Sequence, residues 1–353
     1  MKDQYFGDVN DYRKYGLLRI LSGMRCDGQS NISVAICWML TPNDGRSDGG
    51  KIDYEKLRKF DPDLFDCLKK LLPPHKEKRE VKSAEKGEFL PPSTFFYPDK
   101  LFDDRGKRFR YFNKFLCEAK TAGLIFFDPD NGINVKSRRY GNQNSSKYLY
   151  FCELICSFWA GHSILFYQHF RRTKGINRDQ FIVEMANEII ESIGVNEVFS
   201  FRTPHVVFFL LPQDRDLVLL REQSVKVTEL WGIKQIKLEI FSKSRGDGGL
   251  SNNCGKTSIN KRSAPMLRGC KPCACGCGGF VEQENRTFIM GHDGKLTSVF
   301  RKILKGETNI GNMEPMVQEI WRIWNEKGRP GGEIHPKLKE SAEIALTRYW
   351  EFR

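Results

Sequence analysis

The sequence predicts an α/β fold, built on a three-layer, doubly wound and mostly parallel sheet and followed by a small C-terminal module. Four short runs, at residues 32–40, 123–127, 163–167 and 206–211, are almost continuously apolar. Such runs are typical of strands that helices cover on both faces. Stretches with helical spacing of apolar residues separate them, and alternating strands and helices are characteristic of doubly wound sheets.

The spacing of apolar residues distinguishes the predicted helices from the predicted edge strand. Apolar residues recur at helical spacing in the intervening stretches, and the run at 235–241 alternates polar and apolar residues as an edge strand does. The predicted helices are 12–21, 61–72, 111–119, 145–158 and 178–193, with three more at about 296–304, 315–325 and 336–350. We therefore expect an α/β domain at 1–241, a basic flexible linker at 242–269 and a helical module at 270–353.

Composition narrows the function classes. The 353 residues carry a formal net charge of +13 and include 11 cysteines. This charge favours a polyanionic partner, and we expect DNA, or alternatively RNA. No apolar run is long enough for a transmembrane helix, and the first residues lack the apolar part of a signal peptide. We therefore expect a cytoplasmic protein with reduced cysteines and no membrane partner; the oligomeric state is not predicted.

Two carboxylates and an amide follow the second apolar run. Asp128, Asp130 and Asn131 come directly after strand 123–127, and Pro129 prevents the strand from continuing. Ligands of doubly wound sheets bind at the carboxyl ends of the strands. This is the strongest candidate for an active site, although the same residues also suit a turn in which Asp and Asn cap main-chain amides.

Two other strand ends add polar and aromatic side chains. Trp38 lies near the end of the first run and Asp44 follows it, and Gln168, His169, Arg171 and Arg172 follow the third run. A parallel sheet brings these ends to one cleft. Asn131 and Gln168 have the paired hydrogen-bonding groups that read a base edge, with His169 beside them, and Trp38 suits stacking. The polar and aromatic stretch 3–19 is expected to close over the cleft or to cap an amphipathic helix.

The C-terminal module opens with a cluster of cysteines. Cys270, Cys273, Cys275 and Cys277 lie within eight residues, and His292 follows. Thiolates and imidazoles are the ligands of structural zinc, which takes four donors. The four ligands are either all four cysteines or the last three together with His292. Basic side chains that follow on a helical face are expected to grip DNA phosphates: Arg301, Lys302 and Lys305.

Several motifs resemble known families. The segment Cys-Ala-Cys-Gly-Cys-Gly at 273–278, followed by Gly-His-Asp at 291–293, resembles a small zinc element of bacterial and phage proteins. Asp-Gln-Tyr-Phe-Gly-Asp at 3–8 and Phe-Phe-Asp-Pro-Asp-Asn-Gly at 126–132 resemble an uncharacterised bacterial family. Thr-Pro-Asn-Asp at 41–44 and Asp-Pro-Asp-Asn at 128–131 are distantly similar to the uracil-DNA glycosylase superfamily.

The glycosylase resemblance implies hydrolysis of the N-glycosidic bond of a flipped base. Asp128 would orient the attacking water, and Asp130 or Asp44 would stabilise the charged sugar. No organic cofactor is then required. A defence role against phage DNA with modified bases is an analogy that suits such an enzyme.

Three alternatives remain open. The Asp-Pro pair at 128–129 is similar to the Asp-Pro-Pro-Tyr motif of ribosomal RNA adenine-N6 methyltransferases, which implies methyl transfer. Asp44, Asp128 and Asp130 around Mg²⁺ would form a metal-dependent nuclease. In the last alternative the α/β domain is inactive and the zinc module simply binds DNA.

Overall fold

The structure is a computed structural model in which the chain forms two compact units, Met1–Leu250 and Ser251–Arg353. The described residues are 1–43, 49–135, 137–170, 177–243, 271–272, 280–281, 300, 307, 320–324 and 341. The predicted linker at 242–269 lies outside this set except for its first two residues.

The first unit has a seven-stranded sheet and six α-helices among its described residues. The strands are β1 (Val34–Cys37), β2 (Phe95–Tyr97), β3 (Leu124–Phe127), β4 (Ser163–His169), β5 (Glu197–Arg202), β6 (Val206–Leu211) and β7 (Lys237–Ser242). The helices are α1 (Val9–Leu21), α2 (Pro62–Leu71), α3 (Arg105–Glu118), α4 (Phe151–Trp159), α5 (Arg178–Ile193) and α6 (Leu217–Trp231).

The sheet is mixed and mostly parallel, which confirms the predicted α/β class. The strand order is β2-β1-β3-β4-β6-β5-β7. Strands β1 to β4 pair in parallel, whereas β6 is antiparallel to both β4 and β5, and β7 is antiparallel to β5. The parallel half therefore brings the carboxyl ends of β1, β3 and β4 to the same edge.

Two apolar clusters cover the sheet. Successive strand residues alternate between them, so that Val34 and Ile36 of β1 belong to one cluster and Ala35 and Cys37 to the other. Helices α1, α2 and α6 contribute to the first cluster, and α3, α4 and α5 to the second. Helix α1 packs closely on α6, since a Cβ atom at Gly16 would lie 2.2 Å from Trp231 Cζ2.

Most predicted elements are present. The bounds of β6 and α5 coincide with the predicted ones, and β7 lies at the sheet edge as expected. Sequence patterns missed β2, β5 and α6. In the second unit, residues 300, 320–324 and 341 are helical, each within a predicted helical stretch. There the buried Phe300 ring packs against Trp321 and Trp324.

Candidate functional site

A cavity of about 560 Å³ lies at the carboxyl ends of β3 and β4. Cys37 pairs with Phe127, and Phe127 pairs with Phe166, so that the residues following these strands meet at one edge. Asp128, Asp130 and Asn131 line the cavity after β3, as the sequence predicts. The N-terminal half of α1 closes another side with charged residues.

The centre of the site is a buried cluster of one cation and two carboxylates. Lys14 Nζ donates to Asp128 Oδ2 over 2.7 Å and lies 2.6 Å from Asp11 Oδ1. It also lies 4.9 Å from the centre of the Tyr15 ring. Burial by itself would lower the pKa of Lys14, but the carboxylates of Asp11 and Asp128 raise it above its ordinary value. Lys14 therefore remains a cation and holds Asp128 in place.

Asp8 is a buried carboxyl group of the site whose pKa is raised towards neutral pH. It precedes α1, and its Oδ1 accepts from the main-chain N–H of Asn10 at 2.8 Å and of Asp11 at 2.9 Å. Burial, reinforced by the negative charge of Asp11, raises the pKa of Asp8 to about 7. A carboxyl group that titrates near neutral pH is suited to proton transfer.

Asp130, unlike Asp8, is surrounded by positive charges. Its Oδ1 lies 2.9 Å from the Met1 amino group, and its Oδ2 lies 3.5 Å from Lys2 Nζ. The hydroxyl of Thr41 donates to Oδ2 over 3.0 Å. Burial opposes ionisation, but these positive charges and the hydrogen bond lower the pKa of Asp130 below its ordinary value. Asp130 is therefore ionised in the pH range in which Asp8 titrates.

Gln168 positions the loop after β3. Its Oε1 accepts from the Ile133 N–H at 2.7 Å, and its Nε2 donates to the carbonyl oxygens of His169 and Asn131. Gly132 has a φ of +92°, and a Cβ atom there would lie 2.3 Å from Gln168 Oε1. Both amide hydrogens of Gln168 are thus used by the main chain, whereas Asn131 lines the cavity.

Trp38 does not line the cavity. Its side chain is buried, and its ring stacks on Phe96 with 5.9 Å between centroids. The strand register directs it into the core, where it is not available to stack on a ligand in the cavity. Tyr167 and His169 do line the cavity, and the Tyr167 hydroxyl lies 3.0 Å from His169 Nε2.

The remaining predicted site residues lie outside the described part of the chain. They are Asp44, Arg171, Arg172, Arg301, Lys302, Lys305, Cys270, Cys273, Cys275, Cys277 and His292. Among the residues that are described, no group of three or more His, Cys, Asp or Glu side chains is arranged to hold a metal ion.

Sequence reasoning gave no individual role to Asp8, Asp11 or Lys14. The sequence predicts that stretch 3–19 either closes over the cleft or caps a helix. In the structure Asp8 caps α1, and the same residue lines the cavity. The sequence signal for this cluster is the spacing of three residues from Asp8 to Asp11 and from Asp11 to Lys14. It places them close together along a helix whose other residues are largely buried.

Two comparisons with known proteins, by family model and by curated sequence, found no match. The family resemblances of the motifs therefore stay predictions. No helix in the described part of the chain is both long and apolar enough to cross a membrane.

Proposed function

We propose that the cavity hydrolyses the N-glycosidic bond of a base in DNA. The observation that supports this most is that two carboxyl groups lining the cavity have pKa values shifted in opposite directions, upward for Asp8 and downward for Asp130. Such a pair supplies an acid and a charge stabiliser at the same pH. Glycoside hydrolysis needs both, because its transition state resembles an oxocarbenium ion and its leaving group needs a proton.

Each group then has a role. Asp8 donates its proton to the base as the bond from C1′ to nitrogen breaks, and the electron pair of that bond stays with the base. Water adds to C1′, and Asp128, held by Lys14, orients this water and accepts its proton. Asp130 stabilises the positive charge on the sugar. Transfer of the water's proton to solvent and reprotonation of Asp8 complete the cycle.

DNA is the proposed partner because the chain is strongly basic and the cavity is large enough for a nucleotide. A base inside a duplex cannot reach such a cavity, so it must leave the stack. We assign the hydrogen bonds to the edge of the base to Asn131, because it lines the cavity. We assign Arg171, Arg172, Arg301, Lys302 and Lys305 to contacts with the phosphate backbone.

The direct test uses purified protein and several DNAs, including phage DNA with modified cytosines. Samples are incubated without added cofactor or Mg²⁺, half of each is heated in alkali, and both halves are run on a gel. Strand breaks that appear only after alkali are expected. Asp128→Asn should remove these breaks while DNA binding persists, and intact wild-type strands would contradict the proposal.

Methyl transfer is the second candidate, and the strand order favours it. Strand β2 lies next to β1 on one side, and β3 lies next to β1 on the other side, so the direction in which strands are added reverses between β1 and β3. In a doubly wound sheet this switch point is where nucleotide cofactors bind, and Asp128 and Pro129 follow β3 there. Retention of S-adenosylmethionine by the purified protein, measured by equilibrium dialysis, would favour this candidate over hydrolysis.

We also propose a structural zinc ion in the C-terminal module, because four thiols and one imidazole provide the donor set that zinc prefers. Cys275→Ser is expected to lower the zinc content and to abolish the cooperative unfolding of this module alone, since metal binding and folding are coupled. Metal analysis and calorimetry of the full chain measure both effects. Unchanged zinc content would contradict the assignment of Cys275.

A further inference from the structure

The rim of the cavity is positively charged, in contrast to its acidic floor. Lys51 and His205 both line the cavity, and Lys51 Nζ lies 3.4 Å from His205 Nε2. Both side chains are exposed. No carboxylate forms an ion pair with Lys51 in the described part of the chain, whereas the carboxylates of the floor are held by Lys14, Lys2 and the amino group of Met1.

Two arginines, Arg13 and Arg178, lie close enough to His205 to act on it electrostatically. Arg13 of α1 is only 4% exposed, and its Nη2 donates to Gln235 Oε1. Its Nε and Nη1 atoms are buried and have no hydrogen-bond partner among the described residues. Arg178 of α5 donates to the carbonyl oxygen of Pro204, next to His205. Neither arginine forms an ion pair with a carboxylate in that same part of the chain, although the charge of Asp8 acts on Arg13 at longer range.

We propose that Lys51 and His205 form a phosphate subsite, which binds the phosphate of the nucleotide whose base enters the cavity. Lys51 and a protonated His205 donate to the phosphate oxygens, and Arg13 and Arg178 add attraction at longer range. Three neighbouring cations, Lys51, Arg13 and Arg178, repel one another, and an anion bound among them reduces this repulsion. This subsite rests on the proposed function and specifies its substrate, which is a nucleotide, either free or within a strand.

Proton uptake should accompany binding. Burial, followed by the charges of Lys51, Arg13 and Arg178, lowers the pKa of His205 below its ordinary value, so the empty site holds a neutral imidazole. A phosphate beside the ring reverses that electrostatic balance and raises the pKa of His205. Binding at neutral pH is therefore expected to take up part of a proton.

Titration calorimetry of the full chain tests the subsite with three probes: a deoxynucleoside, its 5′-monophosphate and a short single strand. For the wild-type protein the monophosphate is expected to bind at least about tenfold more tightly than the nucleoside. Lys51→Ala and His205→Gln should remove most of this difference. Titrations of the short single strand, whose phosphodiesters do not titrate near neutral pH, in buffers with different ionisation heats measure the proton uptake, which His205→Gln should lower.

The control is Lys226→Ala, which removes an exposed lysine of α6 that does not line the cavity. If the two variants lose affinity only for the single strand, the subsite binds a phosphate within a strand. If they lose affinity for both the strand and the monophosphate, the subsite binds the phosphate of any nucleotide. Equal binding of nucleoside and monophosphate by the wild type, or unchanged binding in both variants, would overturn the proposal. Phosphate-dependent binding without base release would overturn the proposed reaction but retain the subsite.

Discussion

Replacing Lys14 by methionine is expected to lower the free energy of unfolding by about 3–5 kcal/mol. Methionine has a similar length but no charge, so the carboxylates of Asp11 and Asp128 would remain buried without their shared cation. Removing one partner of a buried ion pair costs more than the pair contributes, because the other charge stays desolvated. Urea denaturation followed by circular dichroism measures the change.

The matched control for this variant is Lys226→Met, the same chemical change at an exposed position of α6. It should alter the free energy of unfolding by no more than about 0.5 kcal/mol. Adding Asp128→Asn to Lys14→Met removes one uncompensated carboxylate and should recover part of the loss. Equal stability of Lys14→Met and the wild type would show that the two carboxylates do not depend on Lys14.

Asp8→Asn is expected to slow base release by about 10²- to 10⁴-fold. Asparagine keeps an oxygen that accepts from the N–H groups of Asn10 and Asp11, so the cap of α1 is preserved. It has no acidic proton for the leaving base. In the wild type the rate should fall as pH rises above about 7, the pKa of Asp8, and this decline should be absent from the residual rate of the variant.

Asp104→Asn is the matched control, because Asp104 caps α3 in the same way and does not line the cavity. Its rate should equal that of the wild type. Stability offers a readout that is independent of activity. The pKa of Asp8 rises from 3.8 to about 7 on folding. Protonated Asp8 therefore stabilises the fold fully below about pH 4, and this contribution disappears as pH rises through about 7.

The wild type should accordingly lose stability relative to Asp8→Asn between about pH 4 and pH 7. Denaturation curves at several pH values measure the difference between the two proteins. A rate for Asp8→Asn within twofold of the wild type, with an unchanged pH profile, would rule out Asp8 as the acid.

The fold was predictable where strands are buried on both faces. Continuous apolar sequence gave β1, β3, β4 and β6, because both sides of these strands contact apolar clusters. Strand β2 has only three residues, and Ser200 interrupts the apolar residues of β5, so neither forms such a run. Helix α6 begins with four apolar residues that look like a strand, and it exposes Val218 and Val225. The antiparallel pairing of β6 depends on long-range packing that no local pattern encodes.

The location of the site was also predictable, because strand ends meet at one edge of a parallel sheet. Its details were not. The orientations of Trp38 and Gln168 depend on register and on neighbouring loops, which place one in the core and use the other to hold Gly132. The proton affinity of Asp8 depends on burial and on the nearby charge of Asp11, and both arise only once α1 lies against β3.

The most direct measurement is the mass balance of one reaction. A short DNA that contains the susceptible base is incubated with the wild type, Asp8→Asn and Asp128→Asn, with and without S-adenosylmethionine, and the products are weighed by mass spectrometry. For the wild type alone we expect a strand that has lost one base and gained one water, together with an equal amount of free base, whether or not the methyl donor is present. An unchanged strand, or one heavier by a methyl group only when the donor is added, would contradict hydrolysis.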